Sequence, residues 1–405
     1  MTQALSPHIC IIGGGFGGLY TALYLQKYRH LRSSQITLIE PKAQFLFTPM
    51  MYELITDELK EWEIAPTYSS LVAGKNIDWQ QASADSVDLE AQTVTLSEGN
   101  SIRYDYLVIA CGADSRPVDI AGVDEHTLTF RSLEDTQILR ARLAQLVQVR
   151  SQLVHIAVVG GGPSGVELAS KVADYLSDRN TPHQITLIER GDHILKPFPK
   201  PLRQLGEKAL SKRNVTVLTQ TSVQSVSSQS VLIERDDQPQ HLKSDLTLWA
   251  VGTQPKPWLG AQSVEQNDRG QRKTRRSLQL PNYDNVFVLG DSADVRKSDK
   301  SAAPNTAQAA FQGASQVAKN LARMAQGKQP KTFNYLHLGD MITLGIGDAG
   351  LHSFGLTLGG QLAALSRRGV YIFRMPTRRH QVKVARRAIG ELLRAVVKPF
   401  RSRHR

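Results

Sequence analysis

Cysteine is the scarcest reactive residue in this chain: Cys10 and Cys111 are the only two in 405, and they form no CxxC pair. That excludes a disulfide scaffold, a thiolate zinc site and a vicinal dithiol redox centre, and it fits a reducing compartment. No metal is expected. No run of about 18 uninterrupted apolar residues occurs, so no spanning helix is expected. The opening residues, MTQALSPHIC, lack a basic region followed by an apolar core, so neither a signal nor a transit peptide is expected. Acidic residues are missing from one place in particular. Residues 367–405 hold 13 Lys and Arg against the single acid Glu391, whereas residues 1–366 hold 36 of each sign. The formal charge of +12 therefore belongs to the C-terminal end of an otherwise neutral protein.

What is present is glycine in two organised clusters. HICII (8–12) reads as a buried strand, GGGFGG (13–18) as a turn and LYTALYLQKY (19–28) as a helix. QITLIE (35–40) is then a second strand ending in an acid. Gly13, Gly15 and Gly18 follow the G-x-G-x-x-G pattern, and Glu40 stands 22 residues after Gly18. Such glycines allow a tight turn and let a pyrophosphate approach the helix N-terminus, while the acid accepts bonds from a ribose. The grammar recurs at HIAVV (155–159), at Gly160, Gly162 and Gly165, at the helix VELASKVADYL (166–176), and at a second QITLIE (184–189) ending in Glu189. One glycine pattern is a weak signal. Two, each between strand and helix and each followed by an acid, predict two nucleotide sites.

Their spacing predicts how they are arranged. RYDYLVIACGA (103–113) and NVFVLGDSADV (285–295) read as buried strands returning to the first sheet, and LTLWAVGTQP (246–255) as the closing strand of the second. The expected fold class is α/β, with two Rossmann-like dinucleotide-binding domains, the second inserted in the first. Residues 1–114 and 256–330 form the first, 115–255 the second, and 331–405 a C-terminal membrane-associating region.

GGGFGGLYTAL, IACGA, GGGPSGVELA, LWAVGTQP and LGDSADV together resemble flavoproteins with two dinucleotide-binding domains. FTPMMYELITDELKEWEIAP (47–66) and APNTAQAAFQGA (303–314) narrow the resemblance to type II NAD(P)H:quinone oxidoreductases. LGDMITLG (338–345) and RMPTRRHQVKVA (374–385) add a likeness to their cyanobacterial and plastid branch, which reduces demethylphylloquinone and related quinones. The resemblance implies a non-proton-pumping enzyme that passes hydride from NADH or NADPH to FAD and two electrons to a membrane quinone, such as plastoquinone or demethylphylloquinone. It places FAD on Gly13, Gly15, Phe16, Gly17, Gly18, Glu40, Thr48, Gly112 and Asp291, and the nicotinamide dinucleotide on Gly160, Gly162, Gly165, Glu189 and Gly252. Gln308 and Gln312, the glutamines of AQxAxQ on a helix beginning at Pro304, are implied beside the flavin and the quinone. Cys111 replaces the small or hydroxyl residue usual before Gly112.

Glu167, two residues past Gly165 on the first helical turn, is the expected side-chain participant, orienting the nicotinamide or assisting proton movement to quinone. A plain helix-start acid favoured by the macrodipole is the alternative. Glu189 favours NADH because it pairs with a free 2′-hydroxyl, and the adjacent Arg190 leaves NADPH open. HQVKVARRAIGELLRAVVKPF (380–400) has two-sided helical spacing: Val382, Ala385, Ile389, Leu392, Leu393 and Val396 share one face, and Lys383, Arg387, Arg394 and Lys398 the other, with Pro399 ending the helix. That pattern predicts an in-plane anchor on an anionic membrane surface. An ordinary helix packed on its own domain or on a second subunit is the alternative. A peripheral position on the cytoplasmic face follows, at a thylakoid or plasma membrane if the source is cyanobacterial. A homodimer is compatible with the sequence. A nucleic-acid partner is not expected, since no aromatics interleave with the basic residues. The rival functions are a sulfide:quinone or ferredoxin reductase, disfavoured for want of cysteines in the sulfide case, and a redox-sensing flavoprotein whose basic tail binds a partner.

Overall fold

The computed structural model describes residues 7–148, 153–260, 262–297 and 301–401, with side chains placed as far as Glu391. The two glycine turns sit in near-identical settings. In the first, β1 (His8–Ile12) leads through the turn into α1 (Gly18–Leu25) and then β2 (Gln35–Ile39). In the second, β3 (Val154–Val159) leads into α2 (Pro163–Ser177) and β4 (His183–Ile188). Both strand pairs are parallel and in the same relative register, His8 opposite Gln35 and Val154 opposite His183. Nearly every residue of β1 and β3 is buried, which is why both read as continuous apolar runs. α1 ends at Leu25, three residues short of the apolar pattern, because residues 26–28 close as turns.

The chain divides into two compact units. Unit 1 comprises Met1–Phe45, Ala65–Ser115 and Thr253–His337. Its sheet has six strands in the order Gln279–Leu280, Tyr283–Val288, Tyr106–Ile109, β1, β2, Asp78–Gln80. Both strands expected to return to the first sheet are there: Tyr106–Ile109 pairs with β1 and, on its other side, with Tyr283–Val288. Where the chain leaves this unit and re-enters it, Ala113–Ser115 and Thr253–Pro255 pair antiparallel. α3 (Ala307–Met324) packs on α1. It starts at Ala307 rather than Pro304, because Thr306 is the N-cap and its Oγ1 accepts the Ala309 N–H at 3.2 Å.

Unit 2 comprises Leu46–Ile64, Arg116–Gly252 and Leu338–Arg405. Its main sheet runs Thr216–Leu218, β4, β3, Leu246–Trp249, Thr127–Leu128. A three-stranded antiparallel sheet, Asp340–Gly345, Asp348–Ser353 and Leu356–Gly359, precedes α4 (Gly360–Arg374) and α5 (Arg378–Arg401). Two segments thus group otherwise than sequence patterning divides them: 46–64 and 338–405 both join the second nucleotide unit. The reason is pairing between residues distant in sequence. Arg367 of α4 meets Glu53, Arg387 of α5 meets Glu63 at 2.7 Å, and the first strand of the small sheet packs along α2.

α5 continues through Pro399 to Arg401 rather than stopping there. A proline in a last turn forfeits one N–H bond while its fixed φ remains helical. Val382 and Ile389 are exposed, whereas His380, Val384 and Ala388 are buried, so the apolar face expected from periodicity points to solvent. The expected basic face is split: Arg387 turns inward to Glu63, and Lys383 lies over the Trp62 ring at 4.3 Å. Leu392, Leu393, Arg394, Val396 and Lys398 lie outside the described side chains.

The tightest constraint on either turn is its last glycine. A Cβ on Gly18 would stand 1.8 Å from the Gly13 carbonyl oxygen, and one on Gly165 would stand 1.8 Å from the Gly160 oxygen. Gly18→Ala and Gly165→Ala are each expected to lower folding stability by about 1–3 kcal/mol or more, read as a lower urea midpoint. An unchanged midpoint would show that the turn can open without penalty.

Candidate functional site

Each glycine turn is clamped by the acid that ends the following strand. Gly14 N donates to Glu40 Oε2 at 2.7 Å, and Lys42 N donates to Glu40 Oε1 at 3.0 Å. Gly161 N donates to Glu189 Oε2 at 2.6 Å, and Gly191 N donates to Glu189 Oε1 at 2.6 Å. An ionised carboxylate has about four acceptor positions, so each acid retains capacity for ribose hydroxyls after ordering its own turn. A side chain at Gly15 or Gly162 would enter open space, and neither α1 nor α2 has a side-chain cap or an acid in its first turn. Free helix N-termini beside open turns suit a pyrophosphate. The residues of both turns therefore fit a dinucleotide.

Within unit 1 the first turn is supported by aromatic packing. The Phe16 ring lies 5.4 Å from both Phe45 and Phe311, and Tyr20 lies 4.0 Å from Phe311, centroid to centroid. Phe16 thus ties the loop to α3, and Gly17 is buried, with room for a Cβ limited by Ala110 at 3.0 Å and Leu289 at 3.2 Å. The Gly112 carbonyl accepts the Ser292 hydroxyl at 3.2 Å, which brings the 111–113 turn to the segment carrying Asp291. On α3, Gln308 Oε1 accepts the Tyr335 hydroxyl at 2.8 Å. Gln312 makes two bonds to the Leu336 backbone, at 2.8 and 2.9 Å. The two glutamines share a face, and both fasten the 335–336 segment. Cys10 is buried in β1, and burial pushes the Cys111 thiol up to about 11, so neither is poised as a thiolate.

Unit 2 contains the most unusual electrostatics. α2 begins at Pro163, so Glu167 lies in its second turn, facing inward and only 7% exposed. Its carboxylate does not cap its own helix; Oε1 accepts the Thr343 N–H at 3.0 Å, from the strand Asp340–Gly345. The Arg367 guanidinium stands 3.8 Å away and also binds Glu53 and the Pro49 carbonyl. Lys171, one turn along α2, is buried and paired with Glu58, and donates to the Gly345 carbonyl at 3.1 Å. Two cations thus face two committed carboxylates, and the group is neutral only if Glu167 keeps its proton. Burial pushes the Glu167 carboxyl up to about 8, against the pull of Arg367 and the Thr343 N–H and with Glu53 adding to the rise. Burial pushes Glu53 upward too, but Arg367 and Lys171 outweigh it and hold Glu53 below the usual carboxylate range.

Of the residues singled out in the sequence, Gly13, Gly15, Phe16, Gly17, Gly18, Glu40, Gly112, Asp291, Gln308 and Gln312 lie in unit 1. Gly160, Gly162, Gly165, Glu167, Glu189 and Gly252 lie in unit 2, together with Thr48, which is exposed at the start of the Thr48–Leu54 segment. The Gly252 carbonyl accepts from Arg131 at 2.6 Å. Sequence reasoning missed Tyr52, Glu53, Lys171 and Arg367. An acid inside the apolar run MMYELI was a usable signal for Glu53; Arg367 had none, since it sits in a basic stretch that reads as solvated.

Two sheets with parallel central strands, each with an acid-clamped glycine turn, define a class: oxidoreductases built on two dinucleotide folds. The family model described as pyridine nucleotide-disulphide oxidoreductase matches residues 7–314, and the chain belongs to that family. It is 38% identical over 390 residues to a demethylphylloquinone reductase, NdbB, of Synechocystis sp., covering 95% of this chain and 96% of that protein. It is 33% identical to the alternative NAD(P)H-ubiquinone oxidoreductase C1, chloroplastic/mitochondrial, of Arabidopsis thaliana, covering 93% of this chain and 79% of that one. Among solved structures, NDH2 from Plasmodium falciparum in complex with NADH superposes with a TM-score of 0.83 at 20% identity, over 94% of this chain and 97% of the other.

The Glu167 environment has a thermodynamic consequence. The folded state holds this proton up to about pH 8, whereas the unfolded chain releases it near the ordinary carboxylate value of 4.5. Its contribution to stability is therefore full at acid pH and is lost as pH rises between those values. Wild type is expected to lose stability relative to Glu167→Gln between about pH 4.5 and 8, by a few kcal/mol, in parallel urea titrations. Parallel stability curves for the two proteins would show that Glu167 is ionised throughout.

Proposed function

We propose that this protein is an FAD-dependent, non-proton-pumping NAD(P)H:quinone oxidoreductase. The observation that carries the reading is the pair of acid-clamped glycine turns in separate sheets, joined in one chain to the buried carboxyl of Glu167. Unit 1 would hold FAD through Gly13, Gly15, Gly17 and Gly18, with Glu40 on the adenosine ribose, and with Gly112, Asp291 and Gln308 towards the flavin. Unit 2 would hold the nicotinamide dinucleotide through Gly160, Gly162, Gly165, Glu189 and Gly252. When bound, FAD supplies the redox chemistry, accepting hydride from NAD(P)H and passing two electrons to quinone. Glu189, already committed to two backbone amides, would favour a free ribose 2′-hydroxyl over a phosphate, hence NADH; exposed Arg190 beside it leaves NADPH open.

The overall conversion is NAD(P)H plus H⁺ plus quinone to NAD(P)⁺ plus quinol. Glu167 is the residue we assign to proton handling. Its neutral carboxyl, held by Thr343 and Arg367, can give a proton and regain one from water. Demethylphylloquinone is the proposed substrate, on the strength of the 38% identity to a reductase of that quinone.

A membrane quinone calls for a membrane-facing surface, and unit 2 carries a suitable one. Phe354 and Phe373 are 82% and 80% exposed, and Leu356, Leu362, Val382 and Ile389 are exposed on the neighbouring strand and helices. Arg374, Arg378, Arg379 and Lys383 are exposed on the same two helices. Exposed apolar side chains together with exposed cations suit in-plane binding to anionic lipid. No helix among the described residues is long and apolar enough to cross a membrane.

In stopped-flow mixing of the purified holoprotein, NADH is expected to bleach the flavin and a naphthoquinone to restore its colour. NADH oxidation that ignores added quinone would defeat the reading. Glu189→Ser should narrow the preference for NADH over NADPH about tenfold or more, measured as the ratio of kcat/KM values. Phe354→Ser combined with Phe373→Ser should release the protein from anionic vesicles in a flotation assay while sparing activity on a soluble quinone; undiminished flotation would exclude this surface as the lipid-binding face.

A further inference from the structure

Arg367 is buried to 4% exposure, yet it belongs to no element that carries a nucleotide-binding motif. It comes from α4, whose Ala363, Arg367 and Tyr371 succeed one another at four-residue spacing, with the guanidinium 4.9 Å above the Tyr371 ring. Desolvating a guanidinium is expensive unless anions and carbonyls surround it. Here one arm binds Glu53, another binds the Pro49 carbonyl, and the second arm also stands 3.8 Å from Glu167. Arg367 Nε and Glu53 Oε2 are buried without a hydrogen-bond partner among the described residues. A purely structural ion pair gains by satisfying every arm. This pair leaves atoms unspent and holds a cation close to a second carboxyl without closing a hydrogen bond to it.

We infer that Arg367, with Glu53 as its counter-ion, is a positioning residue that sets how tightly Glu167 holds its proton; the inference rests on Glu167 being the proton-handling group. Glu53 and Arg367 carry opposite charges beside Glu167, one opposing its ionisation and the other favouring it. Because Glu53 neutralises most of Arg367, Glu167 feels a remnant of the cation rather than a full ion-pair partner, and it remains a proton carrier instead of a fixed anion. The other groups facing Glu167 are already committed. Lys171 is paired with Glu58, and Asp174, further along α2, is paired with Arg213 at 2.7 Å. Tyr52 and Tyr371 are held neutral by burial, and the strand Asp340–Gly345 contributes the Thr343 N–H. Lys171 also favours ionisation of Glu167, but less than Arg367 does, so Arg367 and Glu53 are the two charges that bias it most.

The two partners should act in opposite directions, which a merely structural role would not produce. The test is pH-difference infrared spectroscopy of the holoprotein, with the Glu167 carboxyl band assigned by its loss in Glu167→Gln. Arg367→Gln is expected to move the titration of that band up by about one pH unit or more, Glu53→Gln to move it down, and Arg367→Lys to return it towards wild type. The pH dependence of quinone turnover should move the same way in each variant. Should Arg367→Gln not fold, Glu53→Gln alone still decides the matter, because it leaves Arg367 with Glu167 as its nearest carboxylate. A Glu167 band that titrates as in wild type in Glu53→Gln, or that moves in the same direction in both variants, overturns the inference. Wild-type quinone turnover in Glu167→Gln would defeat the proton-handling assignment instead, and the infrared titration would still judge Arg367 separately.

Discussion

Burying a guanidinium in unit 2 obliges several distant segments to converge. Arg367 needs anions and carbonyls around it, and they come from residues 49–53 and from α2, more than 190 residues earlier in the chain. Burial of Arg367 therefore decides which unit the Thr48–Leu54 segment joins and where α4 lies on that unit. It also decides the environment of Glu167. With Arg367 and Lys171 committed to Glu53 and Glu58, a fifth charge would have no partner, and the carboxyl retains its proton. The stability of this packing and the chemistry assigned to Glu167 share one cause, namely the cost of leaving a charge unpaired in a dry interior.

The two glycine turns show how one local solution serves two purposes. Each uses a final glycine to let the helix approach the turn and a strand-end acid to hold the turn's amide. They differ in what braces them. The Gly14 carbonyl accepts the Tyr68 hydroxyl at 2.9 Å and Phe16 is packed among aromatic rings, whereas the Gly161 carbonyl accepts the Leu195 N–H at 2.7 Å and the loop carries Pro163 and Ser164 instead. After the second turn, the helix has Glu167 where the first has Tyr20, which packs on Phe311. The same position in the repeat therefore serves packing in one unit and proton affinity in the other.

The C-terminal region joins the charged interior to an apolar exterior. α4 and α5 each turn a cation inward, Arg367 to Glu53 and Arg387 to Glu63, and each leaves apolar side chains outward, Leu362 and Phe373 on one, Val382 and Ile389 on the other. Arginine makes this possible by its length and its several donors, which reach past the helix surface into the unit beneath. A helical wheel of α5 drawn from sequence turns Val382 and Ile389 towards the protein and assigns Arg387 to water, the reverse of what the structure shows. What reverses that assignment is Glu63, fully buried and 324 residues away in the sequence.

The sequence by itself determined the two glycine turns, their flanking strands and helices, and their acids, because these depend on contacts within about 30 residues: apolar runs, turn geometry and one acid per repeat. It also announced a helix in the tail, since helical periodicity is local, but not the edge strands Asp78–Gln80, Gln279–Leu280, Thr216–Leu218 and Thr127–Leu128. Only the tertiary structure decided that residues 46–64 and 338–405 share a unit, that Glu167 turns from its own helix end towards Thr343, and that Arg367 and Glu53 stand beside it. Those outcomes depend on which charges meet across more than 170 residues of chain. Electrostatic pairing leaves no periodic trace in a sequence, because any acid and any base can pair once the fold has brought them together and removed the water.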